Sequence, residues 1–277
     1  MKSNQELENI ANKLRIDILN MLTESKSGHP GGSLSACEIL SVLYFDEMNI
    51  DPKNPEDENR DRFILSKGHA APVLYSALAE KNYFDKKELN KLRKIDSMLQ
   101  GHPDMKGTPG VDMSTGSLGQ GISAACGIAK SGKIFNKDYR VYTLLGDGEV
   151  QEGIVWEAAM FAGQYKLDNL VAFLDNNGLQ IDGRNDKIMN IQPIDEKFEA
   201  FGWNVMKIDG HSIEEIREAL RKARETKGKP SMIIAKTIKG KGVSFMEDIC
   251  SWHGKAPSIE ERDKAIKEIE SRMGGAE

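Results

Sequence analysis

The sequence predicts an α/β fold in which a mostly parallel sheet carries helices on both of its faces. Short runs rich in β-forming residues recur in the second half of the chain, and segments of helical length lie between them. This alternation is typical of a parallel sheet covered by helices. The sequence contains no internal repeat and no low-complexity tract. We therefore expect a single α/β domain over residues 1–277.

The first half of the chain is predicted to be mainly helical. Leu7, Ile10, Leu14, Ile18 and Leu22 recur at helical spacing and would form one apolar stripe. This first helix should end before the segment "SGHPGG". Further helices are predicted over residues 36–45, 70–79 and 118–129.

The second half is predicted to supply the strands. β-rich runs occupy residues 141–145, 170–174, 203–208 and 231–237. Helical stretches are expected between these runs, over about 151–164, 193–201 and 212–226. The polar stretch at 51–62 is interpreted as a solvated loop rather than a linker, because candidate site residues lie on both sides of it.

The composition argues against nucleic acid and membranes as partners. The 277 residues are 39 % hydrophobic and 29 % charged, with a net charge of −5. This charge gives no electrostatic reason to bind nucleic acid or an anionic membrane. The N-terminal segment lacks an apolar signal core, and no run approaches the roughly 20 apolar residues that span a bilayer. We expect a cytoplasmic protein.

Two polar motifs follow predicted strands at the same edge of the sheet. Asp147 in "LGDG" follows the run at 141–145, and Asn177 in "LDNNG" follows the run at 170–174. Ligands of such sheets bind beyond the carboxyl ends of the strands. Aspartate and asparagine oxygens suit Mg²⁺ or Ca²⁺, and an ion held by so few protein groups completes its shell with water and phosphate oxygens. The pair therefore predicts a metal site that binds a phosphorylated ligand.

The glycines beside Asp147 fit the same prediction. Gly146 and Gly148 would let the backbone approach a phosphate, with the N-terminus of the following helix close by. Either motif alone is explained as well by a tight turn, because Gly, Asn and Asp dominate turns. The occurrence of both motifs at strand ends, in the expected order, favours the ligand site.

These motifs resemble those of a known family. A G-D-G followed after thirty positions by N-N is similar to the thiamine diphosphate motif, and "GDGEVQEGIVWEA" is close to the form found in transketolases. Further segments recur in the same order as in transketolases: "SGHPGG", "LSKGHAAPVLYSALA", "QGHPDMKGTPGVDMSTGSLGQG", "DGHS", "KTIKGKGVSFMED" and "WHG". The resemblance covers nearly the whole chain. It implies that residues 1–277 form one thiamine diphosphate-binding domain of the type that holds the diphosphate, the PP domain.

The resemblance also assigns the ligands of the metal and of the cofactor. It implies that Asp147, Asn177 and the backbone carbonyl of Leu179 hold the metal, Mg²⁺ or Ca²⁺. The residues implied at the diphosphate are His69, Gly148 and His253. The residues implied at the cofactor rings are Gly116, Leu118 and Ile181, through their backbones, and Glu152, near the pyrimidine end in a carboxylate network.

All five histidines have a glycine beside them in the sequence. A lone loop histidine is more often a bystander than a catalyst, but His29, His69, His102 and His253 fall at positions that line the reaction channel in transketolases. Imidazoles can hydrogen-bond sugar hydroxyls and exchange protons near neutral pH. The resemblance implies that His29 and His102 bind the donor sugar, and that His69 and His253 contact diphosphate and assist proton transfer. His211 is expected to shape a turn before a helix.

The implied reaction is the transfer of a two-carbon ketol unit from a ketose phosphate to an aldose phosphate, as in the pentose phosphate pathway. In this family, the glutamate that activates the aminopyrimidine belongs to a second, pyrimidine-binding domain. After "WHGKAPS" we find only a charged helical segment, "IEERDKAIKEIESRM". We therefore expect an N-terminal subunit of a split transketolase, active only with a C-terminal partner subunit, in a heterotetramer of two plus two chains.

Several alternatives remain open at this stage. The chain departs from the family at "GGSLS" after His29 and at Ser117, where full-length enzymes often have proline, so the exact sugar is open. A deoxyxylulose-phosphate synthase shares the fold, although "HPGG", "VQEGIVWEA" and "WHG" fit transketolase better. A 2-oxo acid dehydrogenase α subunit should lack the four histidines. A non-catalytic partner that kept the fold is the remaining alternative, and the retained Asp147 and Asn177 argue against it.

Overall fold

The computed structural model describes residues 2–181 and 183–273; Met1, Asp182 and residues 274–277 of the predicted domain lie outside the described residues. The strands are β1 (Arg62–Leu65), β2 (Val141–Gly146), β3 (Leu170–Asn176), β4 (Asn204–Asp209) and β5 (Ser231–Lys236). They form one sheet in the order β1-β2-β3-β5-β4, and every neighbouring pair is parallel. The predicted parallel sheet is confirmed.

Helices precede, separate and follow the strands. The helices before β2 are α1 (Asn4–Ser25), α2 (Pro30–Leu34), α3 (Cys37–Val42), α4 (Ala71–Glu80) and α5 (Gln120–Ile134). The later helices are α6 (Gly153–Gln164), α7 (Asn185–Ile188), α8 (Ile194–Ala200), α9 (Ile213–Glu225) and α10 (Ile259–Glu270). Within residues 2–181 and 183–273, no helix combines the length and apolar character needed to cross a bilayer.

Two hydrophobic cores cover the two faces of the sheet. Side chains alternate along a strand, so Val171 and Phe173 of β3 join one core while Ala172 and Leu174 join the other. The first core contains side chains of α1, α3, α4, α9 and α10, and the second contains side chains of α5, α6 and α8. The predicted placement of helices on both faces is therefore confirmed.

The predicted elements are found with shifts of a few residues at their ends, and two details differ. Strand β1 was not predicted, because its four residues follow the charged segment "ENRD" and are too few to show a period. The predicted loop at 51–62 therefore ends where this edge strand begins. The predicted helix at 36–45 is divided, since α3 ends at Val42 and a π-helical turn follows over Leu43–Glu47.

The neighbouring strands β2 and β3 end side by side, which places the loops that follow them together. Gly146 at the end of β2 pairs with Asp175 in β3. A 3₁₀ turn, Gly148–Gln151, then leads from β2 into α6. After β3, the chain forms a loop that is closed by an isolated antiparallel bridge between Leu179 and Arg184.

Candidate active site

A cleft of about 330 Å³ opens at the carboxyl ends of β2 and β3. Of the site residues predicted from sequence, all except His102 line it: His29, His69, Gly116, Leu118, Asp147, Gly148, Glu152, Asn177, Leu179, Ile181 and His253. These residues come from loops that are far apart in the chain. The structure thus brings the predicted residues into one cavity, at the sheet edge where ligands of parallel α/β folds bind.

Asp147 joins the two loops at the floor of this cleft. Its Oδ1 accepts a hydrogen bond from the Gly148 amide at 2.8 Å, and its Oδ2 accepts one from the Gly178 amide at 2.5 Å. The side chain is 2 % exposed. Burial, together with the nearby charge of Asp175, raises the pKa of Asp147 to about 6. A buried carboxylate of this kind is stabilised in its ionised form by a bound cation.

The other two predicted metal ligands lie beside Asp147. Asn177 Oδ1 accepts a hydrogen bond from the Leu179 amide at 3.1 Å, and this bond orders the turn after β3. The Leu179 carbonyl oxygen is 3.4 Å from Lys239 Nζ. In the part of the chain that the structure describes, no group of three or more His, Cys, Asp and Glu residues could hold a metal ion. One carboxylate, one amide oxygen and one carbonyl instead form a set of hard oxygen donors, which fits Mg²⁺ or Ca²⁺.

Three imidazole rings form a triangle in the same cleft. The ring centroids of His29 and His69 are 5.4 Å apart, and each lies 5.3 Å from that of His253. His253 Nδ1 is 2.8 Å from Lys239 Nζ, which donates to it. The Nδ1 atom of His29 is buried and has no hydrogen-bond partner among the described residues. This arrangement leaves imidazole nitrogen atoms available to a ligand.

The three rings stay neutral in the range where enzymes commonly work. Burial lowers the pKa of His29 to about 4, helped by the charge of Arg93. Burial lowers the pKa of His253 to about 3, and the neighbouring Lys239 adds to the effect. Burial and Lys67 place the pKa of His69 well below its ordinary value. Neutral imidazoles can accept as well as donate a proton, which general acid–base chemistry requires.

His102 and Glu152 occupy the edge of the site. The His102 side chain is exposed and lies outside the histidine triangle, and burial and Arg93 lower its pKa. A Cβ built on Gly116 would come within 3.1 Å of the His102 ring, so the histidine borders the cleft at that glycine. Glu152 is exposed at the mouth of the cleft, and its carboxylate makes no hydrogen bond within the described residues.

The carboxylate network of the site is centred on Glu149, a residue that the sequence motifs did not single out. Glu149 Oε1 accepts hydrogen bonds from Ser66 Oγ at 2.5 Å and from the Gly119 amide at 2.8 Å. Its Oε2 accepts one from the Gly146 amide at 3.0 Å. Glu149 therefore ties together three segments of the cleft wall. Its position in "GDGE", two residues after Asp147, was the only sequence signal.

A buried ion pair in the lining of the cleft was also not predicted from the sequence. Lys67 Nζ donates to Asp175 Oδ2 and, at 2.7 Å, to the Gly32 carbonyl oxygen, and both side chains are at most 1 % exposed. Asp175 also accepts hydrogen bonds from Ser35, at 2.6 Å, and from Thr237. Burial opposes ionisation of Asp175, but Lys67 and the two hydroxyl groups hold its pKa below the ordinary value.

Lys239 is the second buried lysine of the site, and it is 2 % exposed. Its ammonium group lies between the Leu179 carbonyl oxygen and His253 Nδ1. Burial lowers its pKa, although the carboxylates of Asp147 and Asp175 act in the opposite direction. Lys67 and Lys239 both lie in sequence segments that resemble transketolases, yet a lysine in a linear sequence gives no sign of burial.

Comparison with known proteins identifies the family. The model of the family described as "Transketolase, thiamine diphosphate binding domain" matches residues 6–275. The chain belongs to the transketolase family. The prediction of this family and of its thiamine diphosphate-binding fold is confirmed.

The relatives of this transketolase-family chain are of two lengths. It is 48 % identical to the 6-deoxy-6-sulfo-D-fructose transketolase subunit SqwG of Clostridium sp. (strain MSTE9), with 96 % of each chain covered. It is 40 % identical to an apulose-4-phosphate transketolase subunit of Phocaeicola vulgatus, covering 97 % of this chain and 95 % of that one. Human transketolase is also 48 % identical, but this chain covers only 43 % of its length.

A solved structure shows the same relationship. The transketolase of Campylobacter jejuni superimposes with a TM-score of 0.91 at 37 % identity, covering 98 % of this chain and 43 % of that one. The transketolase-family chain therefore corresponds in length to the named subunits and to less than half of the longer enzymes. These matches favour transketolase over the deoxyxylulose-phosphate synthase and 2-oxo acid dehydrogenase alternatives.

Proposed function

We propose that this chain is the N-terminal, thiamine diphosphate-binding subunit of a split transketolase. The observation that supports the proposal most directly is the cleft itself, because hard oxygen donors and three neutral histidines line one cavity. The near-complete coverage of two relatives named as transketolase subunits agrees with it. The proposed reaction moves a two-carbon ketol unit from a ketose phosphate to an aldose phosphate.

The metal is proposed to bind at Asp147, Asn177 and the Leu179 carbonyl. Asp147 supplies the charge, and burial already makes its uncompensated ionisation unfavourable, as its raised pKa indicates. Asn177 and Leu179 supply neutral oxygens from the adjoining turn. Such a set leaves positions for water and phosphate oxygens, so Mg²⁺ is favoured and Ca²⁺ is a second candidate.

The diphosphate is proposed to lie between this metal site and the histidine triangle. His69, His253 and the Gly148 amide would bind it, and the ammonium group of Lys239 lies beside His253 and the Leu179 carbonyl oxygen. When bound, thiamine diphosphate supplies the carbon that carries the two-carbon unit. The residues proposed to contact its rings are Gly116, Leu118, Ile181 and Glu152, all of which line the cleft.

The sugar is proposed to enter along His29 and His102. His29 lines the cleft, so its ring can hydrogen-bond a hydroxyl or carbonyl group of the donor. His102 lies farther out, beside Gly116, where the distal part of a sugar would pass. His69 and His253, both neutral, can hold or move a proton close to the reacting atoms.

The proposed partner is a C-terminal chain that carries the pyrimidine-binding domain and the activating glutamate. The present chain spans 43 % of human transketolase but nearly the full length of two relatives that are named as transketolase subunits. We propose a heterotetramer of two plus two chains, because closed twofold assemblies are the commonest arrangement of soluble oligomers. A cytoplasmic role in carbohydrate metabolism, within the pentose phosphate pathway, completes the proposal.

The proposal is tested by mixing the purified chain with the candidate partner chain. A coupled assay with xylulose 5-phosphate and ribose 5-phosphate should show turnover for the mixture, with thiamine diphosphate and Mg²⁺ present, and none for either chain alone. Light scattering on the same samples should show a two-plus-two complex. The matched control is a mixture in which the partner lacks its activating glutamate. Robust ketol transfer by this chain alone would contradict the proposal.

A further inference from the structure

The loop that carries Lys239 is held by a network of three side chains, of which Arg15 and Glu38 are buried and His211 is partly buried. We define the lysine loop as residues 237–242, which follow β5. The Ile238 amide donates a hydrogen bond to His211 Nε2 at 2.9 Å, and the Lys241 carbonyl oxygen accepts one from Arg15 Nε at 3.0 Å. Lys239 lies between these two anchored residues and turns its side chain the other way, into the cleft.

Glu38 connects the two anchoring side chains. Its Oε1 accepts a hydrogen bond from Arg15 Nη2 at 2.5 Å, and its Oε2 lies 3.1 Å from His211 Nδ1. Arg15 comes from α1 and Glu38 from α3, whereas His211 follows β4. His211 was expected only to shape a turn, and its amide does donate to Asp209 Oδ1 at 2.9 Å. Its ring, however, is directed into the protein interior.

The hydrogen bonds of this network have a defined direction. His211 Nε2 accepts from the Ile238 amide, so Nδ1 must carry the proton that is donated to Glu38. Burial alone would raise the pKa of Glu38, but the charge of Arg15 and the bond from His211 lower it to about 2. Glu38 therefore remains an anion, and it fixes the orientation of both partners. Together, the three side chains connect helices α1 and α3 to the lysine loop.

Contacts with Gly31 restrict both the lysine loop and the aliphatic part of the Lys239 side chain. The Gly240 amide donates a hydrogen bond to the Gly31 carbonyl oxygen at 3.0 Å. A Cβ built on Gly31 would lie 2.9 Å from Lys239 Cγ, so the stem passes directly over this glycine. The backbone is thus fixed at three residues of a six-residue loop. A shift of the loop by one hydrogen-bond length would move the ammonium group away from His253 and Leu179.

We infer that Arg15, Glu38 and His211 are positioning residues, which set the place of the Lys239 ammonium group in the cofactor cleft. None of the three lines the cleft. The role in diphosphate binding rests on the proposed function, whereas the effect on the lysine itself does not. The network thereby links α1 and α3 to the ammonium group of Lys239 in the cleft.

Two substitutions of His211 separate its two hydrogen bonds. His211→Gln places an oxygen near the position of Nε2, so it can still accept from the Ile238 amide. His211→Asn reaches only the position of Nδ1, so it can still donate to Glu38 but releases the loop. We expect Gln to behave almost as the wild type and Asn to loosen Lys239, because only Asn loses the bond that holds the lysine loop.

The readout is the reactivity of the Lys239 amine, measured in the full chain by competitive acetylation and mass spectrometry, with exposed Lys53 as the internal reference. His211→Asn should label Lys239 about fivefold faster than the wild type does, which is the change expected for one lost hydrogen bond. Calorimetric titration with inorganic pyrophosphate and Mg²⁺ should show affinity lowered by a similar factor. His211→Gln should restore both values.

Equal labelling of Lys239 in wild type, His211→Asn and His211→Gln would overturn the inference. If the Asn variant does not fold, Arg15→Lys gives the second test. This change keeps a positive charge beside Glu38 but cannot also donate to the Lys241 carbonyl, so faster labelling is again expected. Failure of the wild type to bind pyrophosphate would count against the proposed function, while the labelling rates would still decide the role of the network.

Discussion

The Asp147 carboxylate accepts a hydrogen bond at 2.5 Å from the amide of Gly178, thirty-one positions farther along the chain. This bond joins the loop after β2 to the loop after β3. It places a buried carboxylate in the same cleft as Asn177 and Leu179, the two neutral oxygen donors of the proposed metal site. The hydrogen bond connects the two loops that carry the proposed metal ligands. The first two predictions concern its acceptor, Asp147.

Asp147→Asn should weaken the joint binding of Mg²⁺ and thiamine diphosphate by at least about a hundredfold. The substitution removes the only anionic ligand of the proposed site, and hydrogen bonds and ion contacts to charged groups are the strong ones. Isothermal titration calorimetry on the chain, with its partner if required, measures the effect. Asp138→Asn, a change of the same charge at an exposed position, is the control. Equal affinities in the two variants would reject Asp147 as a ligand.

The stability of the ligand-free chain should depend on pH through Asp147. Its folded pKa of about 6 lies above the ordinary value of 3.8, so its contribution is complete below about pH 4 and is lost as the pH rises through 6. The free energy of unfolding of Asp147→Asn, relative to wild type, should therefore increase by about 2–3 kcal/mol between pH 4 and 7.

Urea unfolding at several pH values measures this difference. His29 and His253 have lowered pKa values and contribute the opposite slope, but they do so in both proteins and cancel in the comparison. Saturating Mg²⁺ and thiamine diphosphate should abolish the slope that is due to Asp147. A difference that stays constant with pH would show that Asp147 titrates normally.

The histidines should separate sugar handling from cofactor binding. His29→Ala and His102→Ala are expected to lower kcat/KM for ketol transfer by about a hundredfold while they change cofactor affinity less than about threefold, because their proposed partners belong to the sugar. His69→Ala and His253→Ala should lower the affinity for thiamine diphosphate as well. Steady-state kinetics and cofactor titrations of the four variants test the division. Loss of cofactor binding in His29→Ala, with normal turnover at saturation, would reverse its assignment.

Breaking the buried ion pair should be costly. Lys67→Met leaves Asp175 as an uncompensated charge that is fully buried, and we expect a loss of about 3–5 kcal/mol in the free energy of unfolding. Lys133→Met is the matched control, because its partner Asp168 and Lys133 itself are both partly exposed and the pair should contribute at most about 1 kcal/mol. Equal losses in urea unfolding would mean that burial does not decide the strength of these pairs.

Two helical glycines should respond to alanine in opposite directions. A Cβ on Gly163 in α6 would lie 1.8 Å from the carbonyl oxygen of Phe201, so Gly163→Ala should cost about 3 kcal/mol or separate α6 from that segment. A methyl group placed on Gly127 in α5 would have nothing within 4 Å of it, so Gly127→Ala should stabilise the chain by about 0.5–1 kcal/mol. Thermal denaturation of both variants is sufficient, and a stable Gly163→Ala would contradict the packing described.

The parts of this protein that could be predicted from sequence are those encoded by local patterns. Asp147 and Asn177 could be predicted because each follows an apolar run within three positions, and strand ends in a parallel sheet meet at one edge. Glu149 and Lys67 could not be found in this way. Lys67 and Asp175 are separated by 108 positions, and charged residues are normally solvated, so only the folded structure shows their pairing.

The contacts of Arg15, Glu38 and His211 could not be predicted from the sequence for the same reason, because they join residues that are far apart in the chain. In the sequence, Arg15 belongs to an amphipathic helix, where a charged residue is expected on the solvent side. In the structure it is 3 % exposed, because the lysine loop covers it. The short strand β1 escaped prediction because four residues are too few for a period to be recognised.

The histidine triangle has a thermodynamic consequence for folding. Its corners lie at residues 29, 69 and 253, so nearly the whole length of the chain must be in place before the cleft exists. A ligand that binds there binds the native state alone and stabilises it by mass action. Local opening at either end of the chain would release the ligand. Bound cofactor should therefore slow amide hydrogen exchange both in α1 and around Trp252. These two distant segments would then open cooperatively rather than independently.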